Sequence, residues 1–181
     1  GYINIDGKST EFKFSKDKNK NYFITTELGK ENITNINKIN FSDKSMHLEK
    51  DIISVFDLIT GIEDSSSKIY RLYNAAFNRF PDFEGFNYWI SKNDSYENTY
   101  RQTAASFLKS KEFNDNYGDD MTNSTYINQL YMNVLNRKAD HEGERYWLGQ
   151  LNSMKEDRAE VLMGFSESAE NKLLFSNEMG I

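Results

Sequence analysis

A chain of 181 residues with 38% hydrophobic and 14% aromatic side chains carries enough apolar material for one full core, or for one medium and one small core. Its net charge of −6 argues against a nucleic-acid partner, which needs a clustered basic face, and no apolar run approaches the roughly 18 residues that span a bilayer. With no cysteine at all, disulfides, thiolate metal sites and thiol nucleophiles are excluded together, and the absence fits a protein that leaves a bacterial cell unfolded as well as many cytosolic proteins.

Residues 1–50 read as a β segment. No charged start runs into an apolar stretch, so no secretory signal is read, and a start at Gly1 suggests a piece of a longer protein. Tyr2-Ile3-Asn4-Ile5 and Glu11-Phe12-Lys13-Phe14 alternate around Asp6-Gly7, a dipeptide suited to positive φ, which predicts a hairpin. A second hairpin is expected between Tyr22-Phe23-Ile24-Thr25-Thr26 and Ile36-Asn37-Lys38-Ile39-Asn40-Phe41, with Gly29 and Asn32 in its loop. A small antiparallel sheet of this kind cannot bury enough alone and should pack on the helical part of the chain. Residues 51–67 form a connecting helix and linker: Ile52, Ile53, Val55, Phe56, Leu58 and Ile59 suit a short helix stopped by Gly61, although a strand is an alternative. Glu63-Asp64-Ser65-Ser66-Ser67 then supplies a helix N-cap.

From there the chain is written twice. Ile69, Leu72, Tyr73, Asn78, Arg79, Asp82, Glu84, Gly85, Tyr88 and Trp89 recur 58 positions on as Ile127, Leu130, Tyr131, Asn136, Arg137, Asp140, Glu142, Gly143, Tyr146 and Trp147. The same offset joins Phe107 to Phe165, Ser110 to Ser168 and Glu112 to Glu170. The expected architecture is α+β and mostly α: a small N-terminal antiparallel β segment, then a duplicated bundle of about eight short helices. Its repeats span residues 68–119 and 120–181 and pack as one domain. Ile69, Leu72, Tyr73, Ala76 and Phe77 make one apolar stripe, which Ile127, Leu130, Tyr131, Val134 and Leu135 repeat.

An element kept in both copies reads as architecture before catalysis. Arg79 with Glu112, and Arg137 with Glu170, suit a bidentate brace across a helix bend. Asp82, Asp140, Ser110 and Ser168 suit N-caps, and Gly85 and Gly143 a close approach of another helix. Trp89 and Trp147 are expected largely buried, with Tyr88 and Tyr146 nearer the surface. Exposed tyrosines at Tyr96, Tyr117 and Tyr126 are candidates for stacking on sugar rings. No cofactor is required by the residues; calcium is a lesser alternative at the acidic cluster Asp115, Asp119 and Asp120, whose simplest reading is a solvated turn. His47 and His141 lack zinc spacing, and no nucleophile elbow or Gly-rich phosphate loop is present.

Tyr70-Arg71-Leu72-Tyr73-Asn74-Ala75-Ala76-Phe77-Asn78-Arg79, Pro81-Asp82, Gly85-Phe86-Asn87-Tyr88-Trp89 and their second-copy partners through Gly164-Phe165-Ser166-Glu167-Ser168 resemble the bacterial domain-of-unknown-function family numbered 4214. The resemblance covers residues 69 to 175, with Lys138-Ala139 replacing the Pro-Asp lead-in of the second copy. It implies a part of a large exported protein, of the calcium-repeat or S-layer kind. The expectation is therefore a non-enzymatic, extracellular attachment module on a bacterial cell surface, binding polysaccharide or lipopolysaccharide through polar, tyrosine-rich grooves between the repeats. A protein–protein module in a sheath, filament or appendage is the runner-up, and a glycan-acting enzyme the third reading.

Overall fold

Six short strands, then nine helices, follow one another along the computed structural model, which describes residues 1–181. The strands are β1 (Tyr2–Asn4), β2 (Lys13–Lys16), β3 (Tyr22–Thr26), β4 (Gly29–Asn32), β5 (Lys38–Asn40) and β6 (Ser45–His47). They form two separate three-stranded sheets. In one, β1 runs parallel to β5 and β5 antiparallel to β6, which sets Ile3 beside Ile39 and Ile39 beside Met46. In the other, β2, β3 and β4 make an antiparallel meander with Phe14 opposite Ile24.

Neither expected hairpin forms. After Gly7 (φ 122°) the chain enters a 3-10 turn at Ser9–Glu11, because the Asp43 carboxylate accepts from both Ser9 N (2.7 Å) and Ser9 Oγ (2.8 Å) and draws the loop away from β1. β3 turns back instead on β4 through Glu27-Leu28, while Ile36–Phe41 contributes β5 to the other sheet. The turn joining β2 to β3 is built on Asp17, whose carboxylate accepts from Asn19 N and from Asn21 N and Nδ2, each at 2.9 Å. The apolar stretch after β6 is helical, as a π-helical turn over Leu48–Ile53 continuing into α1 (Ser54–Asp57).

The remaining eight helices are α2 (Ser65–Phe77), α3 (Phe83–Asp94), α4 (Tyr100–Leu108) and α5 (Lys111–Tyr117), then α6 (Asn123–Leu135), α7 (His141–Asn152), α8 (Arg158–Ser166) and α9 (Ala169–Met179). Each helix of the second set starts 58 residues after its counterpart. The left-handed residues match as well: Asn78 (φ 50°) with Asn136 (φ 55°), and Tyr96 (φ 61°) with Met154 (φ 59°). Asn tolerates that conformation and closes α2 and α6 as Gly would. The N-cap ahead of α2 is Asp64, but its carboxylate binds Thr60 Oγ1 and not a helix amide.

One connected core of 36 buried residues runs from Phe14 in β2 to Met179 in α9, so strands and helices share a single interior. Phe80 joins them, with its ring centroid 5.0 Å from Phe14 and 5.4 Å from Phe56. Between the repeats, α2 and α4 pack against α8, and α2 against α6.

At the bend of each repeat one arginine gathers three elements. Arg79 donates to both Glu112 oxygens (2.5 and 3.0 Å) and to Phe80 O (3.2 Å), with Asp82 Oδ1 at 3.5 Å. Arg137 repeats this with Glu170 (3.0 and 3.1 Å), Lys138 O (3.2 Å) and Asp140 Oδ1 (3.4 Å). The guanidiniums lie over the rings of Tyr73 and Tyr131 at 5.6 and 5.1 Å. Asp82 and Asp140 cap α3 and α7 by accepting from Gly85 N (2.8 Å) and Gly143 N (3.0 Å), and Ser110 and Ser168 cap α5 and α9 at 3.1 Å. The tyrosine hydroxyls close the corner: a Cβ on Gly85 would sit 2.8 Å from Tyr73 Oη, and one on Gly143 would run into Tyr131 Oη.

Denaturant unfolding probes this corner in two ways. Gly143→Ala lowers stability by about 1–3 kcal/mol, and adding Tyr131→Phe, which removes the clashing hydroxyl, recovers part of that loss. Arg79→Met costs about 1–3 kcal/mol because it strands Glu112 and Asp82, whereas Arg137→Met costs less, its side chain being 42% exposed against 17% for Arg79.

Candidate functional site

The two copies are not equivalent where they meet other parts of the chain. Tyr70, Arg71 and Ala75 of α2 are buried under the second repeat, and Phe86 of α3 is buried in the shared core beside the segment leading into α1. Their counterparts 58 residues on are Asn128, Gln129, Asn133 and Glu144, none of which is buried. No helix covers α6 as α8 covers α2. This uncovered polar face is one wall of a groove of about 510 Å3, whose lining includes Thr10, Glu11, Lys13, Asn78, Arg79, Glu112, Asn116, Gln129 and Asn133. Phe77 is the one hydrophobic residue in the lining.

Side-chain amides are tied together on the groove floor. Asn133 Oδ1 accepts from Gln129 Nε2 (2.8 Å), and Asn133 Nδ2 donates to Tyr117 Oη (3.2 Å). The groove's charges compensate one another, since Arg79 is held by Glu112, and Lys13 lies within the field of Glu178.

Lys13 and Asn133 also line a smaller pocket of about 100 Å3, between β2, α2, α6 and α9. There Lys13 Nζ donates to Asn74 Oδ1 (2.5 Å), and Tyr70 Oη donates to Glu178 Oε1 (2.7 Å). Burial lowers the Lys13 ammonium to about 8, the nearby Glu178 carboxylate working against that fall. Burial likewise pushes the Glu178 carboxyl above its ordinary range, offset in part by the Tyr70 hydrogen bond and the charge of Lys13, and drives the Tyr70 phenol well upward.

Behind the pocket sits Arg71, 1% exposed. Its Nε donates to Glu167 Oε2 (2.9 Å), its Nη1 donates to Ile62 O (2.8 Å), and its guanidinium lies 4.8 Å from the Phe175 ring centroid. Sequence reasoning centred on the repeated residues missed Lys13, Arg71, Asn133 and Glu178. The available signal was that Arg71 falls within an otherwise buried helix and has no arginine twin.

The tyrosine candidates are distributed differently from expectation. Tyr126 is fully buried, its hydroxyl donating to Arg158 O (2.9 Å), so it presents no surface to a sugar. Tyr117 is half-buried, stacked on Phe113 at 4.2 Å, and reaches the groove only through Asn133. Both are apolar-face residues of α5 and α6, where they fill the joint between repeats. Tyr96 is 93% exposed in the turn after α3, outside the groove. Trp89 and Trp147 are partly buried, at 5.2 and 5.0 Å from Phe107 and Phe165, and Tyr88 and Tyr146 stand exposed beside them. The acidic trio does not assemble: Asp115 pairs with Lys111 (2.7 Å), Asp119 and Asp120 are exposed, and no group of three or more His, Cys, Asp or Glu able to hold a metal ion forms. No helix is long and apolar enough to cross a membrane.

Four helices doubled at a constant offset around one shared core define a tandem-repeat helical domain with a small β appendage. Residues 104–175, from α4 to α9, match the family described as a domain of unknown function, DUF4214. No curated protein and no solved structure matches the chain.

The buried pair makes a pH signature. Between about pH 8 and 10 the unfolded chain holds a proton on Lys13 that the folded chain has released, so stability rises with pH across this window. Denaturant unfolding of the native chain and Lys13→Met at pH 7.5 to 10 checks this, the variant lacking that rise. In Glu178→Gln, which keeps the acceptor for Tyr70 and removes the anion, the Lys13 ammonium titrates below about 8 by NMR of its side-chain nitrogen.

Proposed function

We propose that this chain is a non-enzymatic, extracellular attachment module of a larger exported protein, holding it to a bacterial cell surface by binding polysaccharide or lipopolysaccharide in the amide-lined groove. The observation that carries the reading is the groove's composition: Asn78, Asn116, Gln129 and Asn133 offer donors and acceptors together, with a single hydrophobic residue and mutually balanced charges. Such a surface suits hydroxyl-rich, wet ligands better than apolar cofactors. The resemblance of residues 69 to 175 to exported surface proteins supports the compartment. Individual binding would be weak and strengthened by multiple copies. The groove's main polar residues are tied into structural pairs, which supports a binding role over catalysis.

A second reading, a protein–protein module of a sheath or appendage, draws on Tyr88 and Tyr146, 52% and 55% exposed at matched positions. Two equivalent aromatic knobs suit contact with repeated neighbouring subunits.

Retention of the chain on immobilised cell-surface polysaccharide and on lipopolysaccharide micelles separates the two. The expected result is retention at micromolar protein, weakened roughly 5- to 30-fold by combining Asn116→Ala with Gln129→Ala and unchanged by Tyr88→Ala with Tyr146→Ala. No retention on any polysaccharide, with or without calcium, overturns the attachment reading; loss only in the tyrosine variant moves the polysaccharide contact from the groove to the tyrosine pair.

A further inference from the structure

The pocket of about 100 Å3 next to the groove has room for about three waters at ~30 Å3 each, which is also the scale of a small planar substituent. Its formal charges cancel locally: Lys13 faces Glu178, and Arg71 is matched by Glu167. A free anion entering would meet Glu178, and a free cation would meet Lys13, so the pocket selects a neutral group. Yet it is rich in unused hydrogen-bonding capacity. Asn74 Oδ1 accepts a hydrogen bond from Lys13 Nζ and leaves Nδ2 free, while Asn171 Nδ2 donates to Ser166 O (2.7 Å) and leaves Oδ1 free. Arg71 Nη2 is buried without a hydrogen bond, although it lies 2.8 Å from Glu167 Oε2. Val134, Leu174 and Phe175 add apolar wall to the same small space.

A neutral group with one acceptor, one donor and one methyl matches these features together. We infer that the pocket receives the acetamido group of a 2-acetamido sugar whose ring lies in the adjoining groove, an assignment that rests on the polysaccharide reading. The shared lining residues Lys13 and Asn133 place the two spaces side by side, so ring and substituent are held at once. The free Asn74 Nδ2 meets the acetamido carbonyl, the free Asn171 Oδ1 takes its N–H, and the methyl lies against the apolar wall.

Two measurements test this on the whole chain. The first compares binding of fully N-acetylated chitosan oligomers with the same oligomers de-N-acetylated, by calorimetry. Tighter binding of the acetylated series by about tenfold is expected. The chain's net charge of −6 would by itself favour the cationic, deacetylated series, so the expected order opposes bulk electrostatics. Leu174→Trp, filling the pocket from a partly exposed position, removes the preference while circular dichroism stays native; should it not fold, Leu174→Phe serves. The second measurement adds N-methylacetamide to 15N-labelled chain and follows the side-chain amides of Asn74 and Asn171, which are expected to shift. Equal binding of both oligomer series overturns the acetamido assignment and leaves the attachment reading standing. Amide shifts without binding of any polysaccharide or oligomer overturn the attachment reading and the sugar assignment with it. No shift and no preference overturns the assignment outright.

Discussion

A guanidinium held between helix ends organises each half of this molecule. Helix termini leave backbone amides and carbonyls without partners, and three such termini converge at each bend. Arg79 and Arg137 solve this convergence with planar forks: two donors to the glutamate that opens the fourth helix, one to a backbone carbonyl in the turn, and one edge toward the aspartate that caps the second helix. The face of each fork covers a tyrosine ring, and that tyrosine's hydroxyl reaches the glycine behind the capping aspartate. Lysine would supply the charge but neither the plane nor the fork. Once these angles are set, the apolar stripes of α2 and α6 face inward together and the copies can pack.

The departures between the copies are as informative as the identities. Tyr70, Arg71, Ala75 and Phe86 lie under other elements, and the corresponding positions carry Asn128, Gln129, Asn133 and Glu144 because little or nothing covers them. A repeat whose outer face is polar ends a stack, as capping units do in longer repeat arrays. Here the uncovered face borders the β segment, and the space left between them is the groove. The site thus sets preserved residues, Asn78, Arg79 and Glu112, against a face that the duplication did not preserve.

That explains which parts were readable in advance. Helix starts, caps and the arginine corners follow local rules, spacing and capping chemistry, and repetition doubled the signal. Strand pairing did not, because it was decided by a distant contact: Asp43 on Ser9 pulls the chain out of the hairpin that Asp6-Gly7 favours. The pocket was invisible for a similar reason. Lys13, Asn74, Asn133 and Glu178 come from four elements far apart in sequence, and only tertiary packing makes them neighbours. Tyr126 misled because a tyrosine near a helix start looks solvent-facing until its neighbours Phe113 and Tyr117 are seen to enclose it.

The Arg71–Glu167 pair has a mechanical consequence. Arg71 belongs to the first copy and Glu167 to the second, and separating them would leave a guanidinium stranded in an apolar interior. Tyr100 with Ser166, and Arg101 with Asp157, add further stitches along the same seam. Under tension neither half can peel away while the other stays folded. A domain stitched this way yields in one abrupt step, at a load set by the seam as a whole, where independently folded beads on a string would lengthen one by one.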